Sequence, residues 1–335
     1  MKNFLRRTLF IFLLLVLIFN MFYLIKDCFA LSQTVDETKR DLKDYENIPI
    51  NDNIIYENVE KLINEISDIK TDNNVIINIV NSDSGFGSQL TIFLQTLSFL
   101  KEVNPNIICL PHFSKNTTLF KYHDSNYNNS FFLYYKRKIH IENLENYKIY
   151  FANSSLLSTP FITACIPTMS DETNKKYITN FINDYEVIKN QSVIDSISNL
   201  KKPIFGIHLR SIAQKIVHDP EYLSVSYSDR LLKIKEKISN DHKEYSIFIM
   251  SDTNDNINLA KSIFDDIYYF DNVLRIDGDK DIIMSLDNDK SGYKLGMDIL
   301  NECFAMSLCN KIFVSNSNIH FIISTMNPDI DMENY

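Results

Sequence analysis

Apolar positions recur along the chain in two rhythms. Residues 52–69 carry Ile55, Val59, Leu62, Ile63 and Ile66 at helical spacing, which predicts an amphipathic helix. Val75–Val80 (VIINIV) reads as a buried strand. Gly85-Phe86-Gly87-Ser88 interrupts it, and a helix is predicted over 89–101. Short strands are predicted at 106–110 and 148–151, while 112–147, rich in Asn, Tyr and Phe, shows no period. After Pro203 the alternation is regular. Strands are predicted at Ile204–Leu209, 246–250, 267–270 and Lys311–Val314, and helices at 228–239, 256–264 and 293–308. Strands alternating with helices of this length indicate a parallel α/β sheet. A chain of 335 residues has room for two domains at about 150 residues each. The economical arrangement is two α/β halves joined near residue 200 and facing a cleft, an N-terminal half over 73–200 and a C-terminal half over 201–335.

The first residues follow a different pattern. Lys2, Arg6 and Arg7 precede a 17-residue apolar run over 9–25 that only Asn20 interrupts. That is near the lower limit of about 17 residues for a membrane-spanning helix. Positive charge ahead of the run puts the N-terminus in the cytosol and the rest of the chain across the membrane. A cleaved signal peptide is the rival, with Cys28-Phe29-Ala30 as its cleavage site, but such peptides have shorter apolar cores. The expected layout is a signal anchor at 1–30, with the transmembrane part at about 9–25, and a polar stem with an amphipathic helix at 31–72. The bulk is then luminal, in the Golgi or another secretory compartment.

Composition narrows the chemistry. The formal charge of −9 provides no field to attract nucleic acid, and no basic cluster dominates a segment. None of the five cysteines forms a CxxC pair, which argues against a zinc site. Cys109 with Cys165, or Cys303 with Cys309, are candidate disulfides in an oxidising lumen, and buried free thiols are the alternative. Sequons at Asn116, Asn128, Asn153 and Asn190 fit a luminal chain but are expected by chance among 37 Asn. The chain has 6 glycines where average usage gives roughly 23, so the pair Gly85 and Gly87 stands out.

Open α/β sheets bind ligands at the carboxyl ends of their strands. Those positions read Asn81-Ser82-Asp83-Ser84-Gly85-Phe86-Gly87-Ser88-Gln89, then His208-Leu209-Arg210, then Ser251-Asp252, then Ser315-Asn316-Ser317-Asn318. Small and hydroxyl residues at a strand-to-helix turn leave backbone N–H groups for an anion such as phosphate. Arg210 adds a planar, permanently charged fork suited to phosphate oxygens. The glycine pair lacks the third glycine of a dinucleotide fingerprint. Asp277-Gly278-Asp279 and Asp287-Asn288-Asp289 resemble metal-holding acidic pairs, but their polar surroundings read as solvated loops.

These residues carry a family resemblance. Gly85-Phe86-Gly87-Ser88-Gln89-Leu90 resembles the GxGNQ-type loop of fucosyltransferases, and His208-Leu209-Arg210 the HxR motif of the α1,2-, α1,6- and protein O-fucosyltransferases. Ser251-Asp252 is similar to their SD, and Asp298 through Met306-Ser307-Leu308-Cys309 to Ser315-Asn316-Ser317-Asn318 to their C-terminal block. The four stand in order over about 75–328. The resemblance implies a GT-B fold of two Rossmann-like domains, GDP-fucose as donor, inversion at the anomeric carbon, and no metal or other cofactor. It implies that Arg210 holds the β-phosphate and stabilises departing GDP, with His208 shaping the same site or contacting the sugar. Asp252 and Asp298 are then nucleoside contacts, and Ser315, Ser317 and Asn318 donate to the phosphates. Gly85, Gly87 and Gln89 face the sugar and the acceptor, a glycan or glycoprotein, and Asp83 is the candidate base. Two departures from the pattern stand out: Arg210 is followed by Ser211-Ile212-Ala213 where the α1,2-type has a second Arg and an Asp, and the loop Asn is Ser88. A GT-B transferase using another nucleotide sugar, and an inactive luminal glycan-binding protein of the same fold, are the alternatives.

Overall fold

A computed structural model describes residues 55–56, 59–67, 69, 75–80, 86–112, 134–138, 147–153, 172–210, 226–276, 292–315 and 317–335. All of them fall in the unit Ile50–Tyr335. The apolar run 9–25, and with it the anchor, lies outside the described residues. Among the described residues no helix is long and apolar enough to cross a membrane.

Two separate parallel sheets organise the fold. The first is built from β1 (Ile55–Tyr56), β2 (Val75–Val80), β3 (Ile107–His112) and β5 (Lys148–Asn153), in the order β1-β5-β2-β3. The second comprises β7 (Ile204–Leu209), β8 (Ser246–Ser251), β9 (Ile267–Tyr268), β10 (Lys311–Val314) and β11 (Asp331–Asn334), in the order β11-β10-β7-β8-β9. A two-stranded antiparallel pair joins β4 (Tyr135–Arg137) to β6 (Tyr185–Val187). The helices are α1 (Val59–Ser67), α2 (Phe86–Val103), α3 (Glu172–Asp184), α4 (Gln191–Ser198), α5 (Tyr227–Asp241), α6 (Asn254–Ile263), α7 (Gly292–Ser307) and α8 (Ile319–Met326).

Side-chain alternation gives the second sheet two apolar faces. Phe205, Ile207 and Leu209 join Leu231, Ile234 and Ile238 of α5 and Ile257, Ala260 and Ile263 of α6 in one core. On the other face a Cβ at Gly206 would lie 2.7 Å from Met306 Sδ, so the missing side chain lets α7 pack directly on β7. Caps set the helix starts. Ser226 Oγ accepts from Asp229 N at 3.1 Å, and Thr253 Oγ1 accepts from Asn256 N at 3.3 Å.

Several expectations are corrected. The predicted helix over 52–69 is a strand followed by a shorter helix. β1 pairs with β5, and α1 buries Leu62 and Ile66. The helix predicted from 89 starts at Phe86, placing Gly87 and Ser88 in its first turn. The stretch 112–147 contains β4, preceded by Tyr134. Tyr134 and Tyr135 are fully buried, with Phe86 edge-on to Tyr134 at 4.9 Å and Phe181 edge-on to Tyr135 at 5.4 Å. Cys303 and Cys309 are buried free thiols and not a disulfide, as is Cys109, while Cys165 lies outside the described residues. Burial pushes the Cys309 thiol up to about 12. Asn190 is the cap of α4, accepting from Ser192 N at 3.1 Å and donating to Asn301 Oδ1 at 3.2 Å, so its amide is already committed within the fold.

Gly296 in α7 has a different duty from an ordinary helical glycine. A Cβ there would sit 2.2 Å from the Tyr134 hydroxyl. Glycine to alanine in a helix normally gains up to ~1 kcal/mol. Here Gly296→Ala is expected to lose about 1–3 kcal/mol, the usual cost of overpacking. A rise in melting temperature would show that the Tyr134 ring yields.

Candidate active site at the strand ends

In the second sheet the chain runs from β7 out through β8 to β9, then returns to β10 on the far side of β7. The order reverses between β7 and β10. Such a reversal opens the crevice in which open α/β sheets take ligands. The first sheet repeats the device, since β3 and β5 lie on opposite sides of β2.

His208 and Arg210 stand at one side of the β7–β10 reversal. His208 is in register with Val314 of β10 and Met250 of β8, and its side chain is buried. By alternation it shares the Gly206 face of the sheet. The His208 carbonyl accepts from the Tyr335 hydroxyl at 2.6 Å. The Arg210 carbonyl accepts from the Tyr227 hydroxyl and from Asn256 Nδ2 at 3.3 Å. Main chain anchored this way fixes where the half-buried Arg210 side chain starts, and its Nη1 donates to Ser317 Oγ at 3.4 Å.

Ser315, Ser317 and Asn318 form the other side. Ser317 Oγ also accepts from Ile319 N at 3.4 Å. Ser315 is 1% exposed, and its Oγ has no hydrogen-bond partner. Asn318 Nδ2 donates to Ser88 Oγ at 2.7 Å, while Asn318 Oδ1 is buried and without a partner. A Cβ at Gly87 would meet Asn318 Cβ at 3.1 Å. Glycine therefore lets the first turn of α2, at the carboxyl end of the first sheet, lie directly against the carboxyl end of the second. Gln89 is buried one helical step on. Asp83 and Gly85 lie outside the described residues.

A second cluster lies beyond β8. Arg275 Nε donates to the Ser251 carbonyl at 3.1 Å, Nη1 to the Phe270 carbonyl at 2.7 Å, and Nη2 meets Glu302 Oε1 at 2.5 Å. Both side chains are buried, at 3% and 4% exposure. Burial pushes the Glu302 carboxyl up to about 8, Arg275 pulls it back, and the negative charges of Asp298 and Asp252 add to the rise. Asp298 accepts from Leu274 N at 3.1 Å and pairs with Lys294. The Asp252 carbonyl accepts from Ile276 N at 3.1 Å. Together these contacts strap residues 270–276 onto the end of β8 and the side of α7. Among the described residues no three His, Cys, Asp or Glu stand close enough to hold a metal ion. The acidic pairs at 277–279 and 287–289 lie outside the described residues.

No protein-family model and no curated protein matches the chain. Solved structures do resemble it. A fucosyltransferase, NodZ, from Bradyrhizobium matches at 9% identity and TM-score 0.43, over 75% of this chain and 92% of its own. POFUT1 in complex with GDP matches at 12% identity and TM-score 0.44, over 80% and 99%. A mutant of Arabidopsis thaliana FUT1 in complex with GDP matches at 8% identity and TM-score 0.40, over 90% and 78%.

Of the residues singled out in the sequence, the fold gathers Arg210, Ser317, Ser315, Asn318 and Gly87 around one point, with His208 on the adjoining strand. Asp252 and Asp298 are set apart from them, in the Arg275–Glu302 cluster. Sequence reasoning missed Arg275, Glu302, Tyr227, Asn256 and Tyr335. Only Arg275 carried a signal, as one of four arginines beyond residue 40.

Proposed function

We propose that the chain is a glycosyltransferase that moves fucose from GDP-fucose to a glycan or glycoprotein acceptor. The observation that carries this reading is the convergence of Arg210, Ser317 and Asn318 at one strand-order reversal, with Gly87 and Ser88 in the first turn of α2 laid against Asn318. A guanidinium beside hydroxyls at a helix start suits a diphosphate. Arg210 stabilises the charge that develops on departing GDP. Asp252 and Asp298 then serve the nucleoside side, Asp298 by holding the strap at Leu274. Transfer proceeds with inversion and without a divalent cation, Asp83 assisting the acceptor hydroxyl. The run over 9–25 anchors the enzyme in a secretory membrane with its bulk in the lumen.

Calorimetry on the full chain in detergent tests the donor. GDP is expected to bind more tightly than UDP or CMP, and equal affinities would sink the fucose assignment. Activity is expected to persist in excess EDTA. Its loss there would bring the Asp277–Asp279 pair back as a metal site.

A further inference from the structure

Asn318 stands at the cap position of α8 and makes no cap bond. Its amide nitrogen is committed across the molecule, to Ser88 Oγ at 2.7 Å. That leaves the carbonyl oxygen, Oδ1, buried with no donor, three residues after the equally partnerless Ser315 Oγ. Buried acceptors are costly to leave unmet, and native folds rarely do so without a ligand or water to fill the place. The chemistry of the missing partner follows from the atom. A hydroxyl such as Ser315 Oγ is satisfied by a phosphate oxygen, because it can donate. An amide carbonyl is not, because an ionised diphosphate carries no hydrogen to give it. A sugar hydroxyl does.

On the transferase reading, we infer that Ser88 holds Asn318 turned so that its carbonyl oxygen accepts from a hydroxyl of the bound sugar. Asn318 is then a specificity-determining residue, and Ser88 a positioning residue that acts through it from the first turn of α2. This reverses the polarity the family resemblance assigns to Asn318, which is donation to phosphate. Gly87 belongs to the same device, since a side chain there would push Asn318 away from Ser88.

The test compares deoxy sugars in two arms, because the hydroxyl belongs either to the donor or to the acceptor. In the donor arm, hydrolysis of GDP-fucose is compared with that of its 2-, 3- and 4-deoxy forms. In the acceptor arm, transfer from GDP-fucose to methyl β-galactoside and methyl N-acetyl-β-glucosaminide is compared with transfer to their monodeoxy forms. The unmodified chain is expected to lose about 10-fold or more in kcat/KM on one deoxy form in one arm. Asn318→Ala and Ser88→Ala are expected to shrink that same penalty below about 2-fold, leaving the other penalties in place. Asn318→Asp keeps an acceptor oxygen toward the hydroxyl and is expected to retain the penalty. The inference is overturned if Asn318→Ala lowers every rate by one common factor and leaves all the deoxy penalties intact. Failure of the transferase reading itself shows separately, as an unmodified chain that hydrolyses no nucleotide sugar.

Discussion

Replacing Arg210 by alanine is expected to lower kcat/KM by 100-fold or more. The side chain sits at the strand-order reversal of the second sheet with its backbone carbonyl bound by Tyr227 and Asn256, so it enters the site from a fixed point. A preorganised cation aimed at a developing negative charge works in the transition state more than in the ground state. Losing one such donor costs about 2.7–4 kcal/mol. The fall is expected chiefly in kcat, with the KM for the donor moving less. Arg210→Lys keeps the charge but loses the fork, and an intermediate rate is expected. A change below about threefold for the alanine variant would remove Arg210 from the chemistry.

The second large effect is on stability. At pH 9, above the raised pKa of Glu302, Arg275→Ala is expected to destabilise the fold by about 3–5 kcal/mol, the range for removing one partner of a buried ion pair. Three acceptors lose their donor together: the carbonyls of Ser251 and Phe270, and the Glu302 carboxylate. The Arg275 and Glu302 side chains are only 3–4% exposed, so the carboxyl left behind gains little access to water. Urea unfolding measures the loss. Combining Arg275→Met with Glu302→Leu is expected to recover much of it, since well-packed apolar residues often replace a buried pair without net cost. A loss under about 1 kcal/mol for the single variant would mean that the pair is solvated.

The second sheet was the more legible half of the chain. β7 and β10 have the bounds their sequences predict, because each is a short apolar run flanked by polar residues or by Pro203. The positions of their carboxyl ends were legible for the same reason, since a strand end can be located before its neighbours are known. Elsewhere local pattern carried less. α8 (IHFIISTM) is eight residues long and apolar on nearly every side, and periodicity does not separate such a run from a strand. α3 (ETNKKYITNFIND) shows the opposite problem, a narrow apolar stripe in a polar segment. The first turn of α2 is tied to Asn318 through Ser88, a contact across 230 residues of chain that no local signal records. Arg275 and Glu302 are likewise brought together only by tertiary structure.

α8 has seven buried residues out of eight and touches α2, α3, β6 and α7. Three of those four partners precede residue 190, yet α8 itself begins at residue 319. On the ribosome, α2 and α3 emerge long before the helix that covers them. During synthesis the faces of α2, α3 and β6 that α8 covers therefore stay uncovered for the time needed to add more than a hundred residues, which at about 5–20 residues per second is several seconds or longer. That interval is when a chaperone would be needed, and a ribosome-stalled chain ending before residue 319 should hold one.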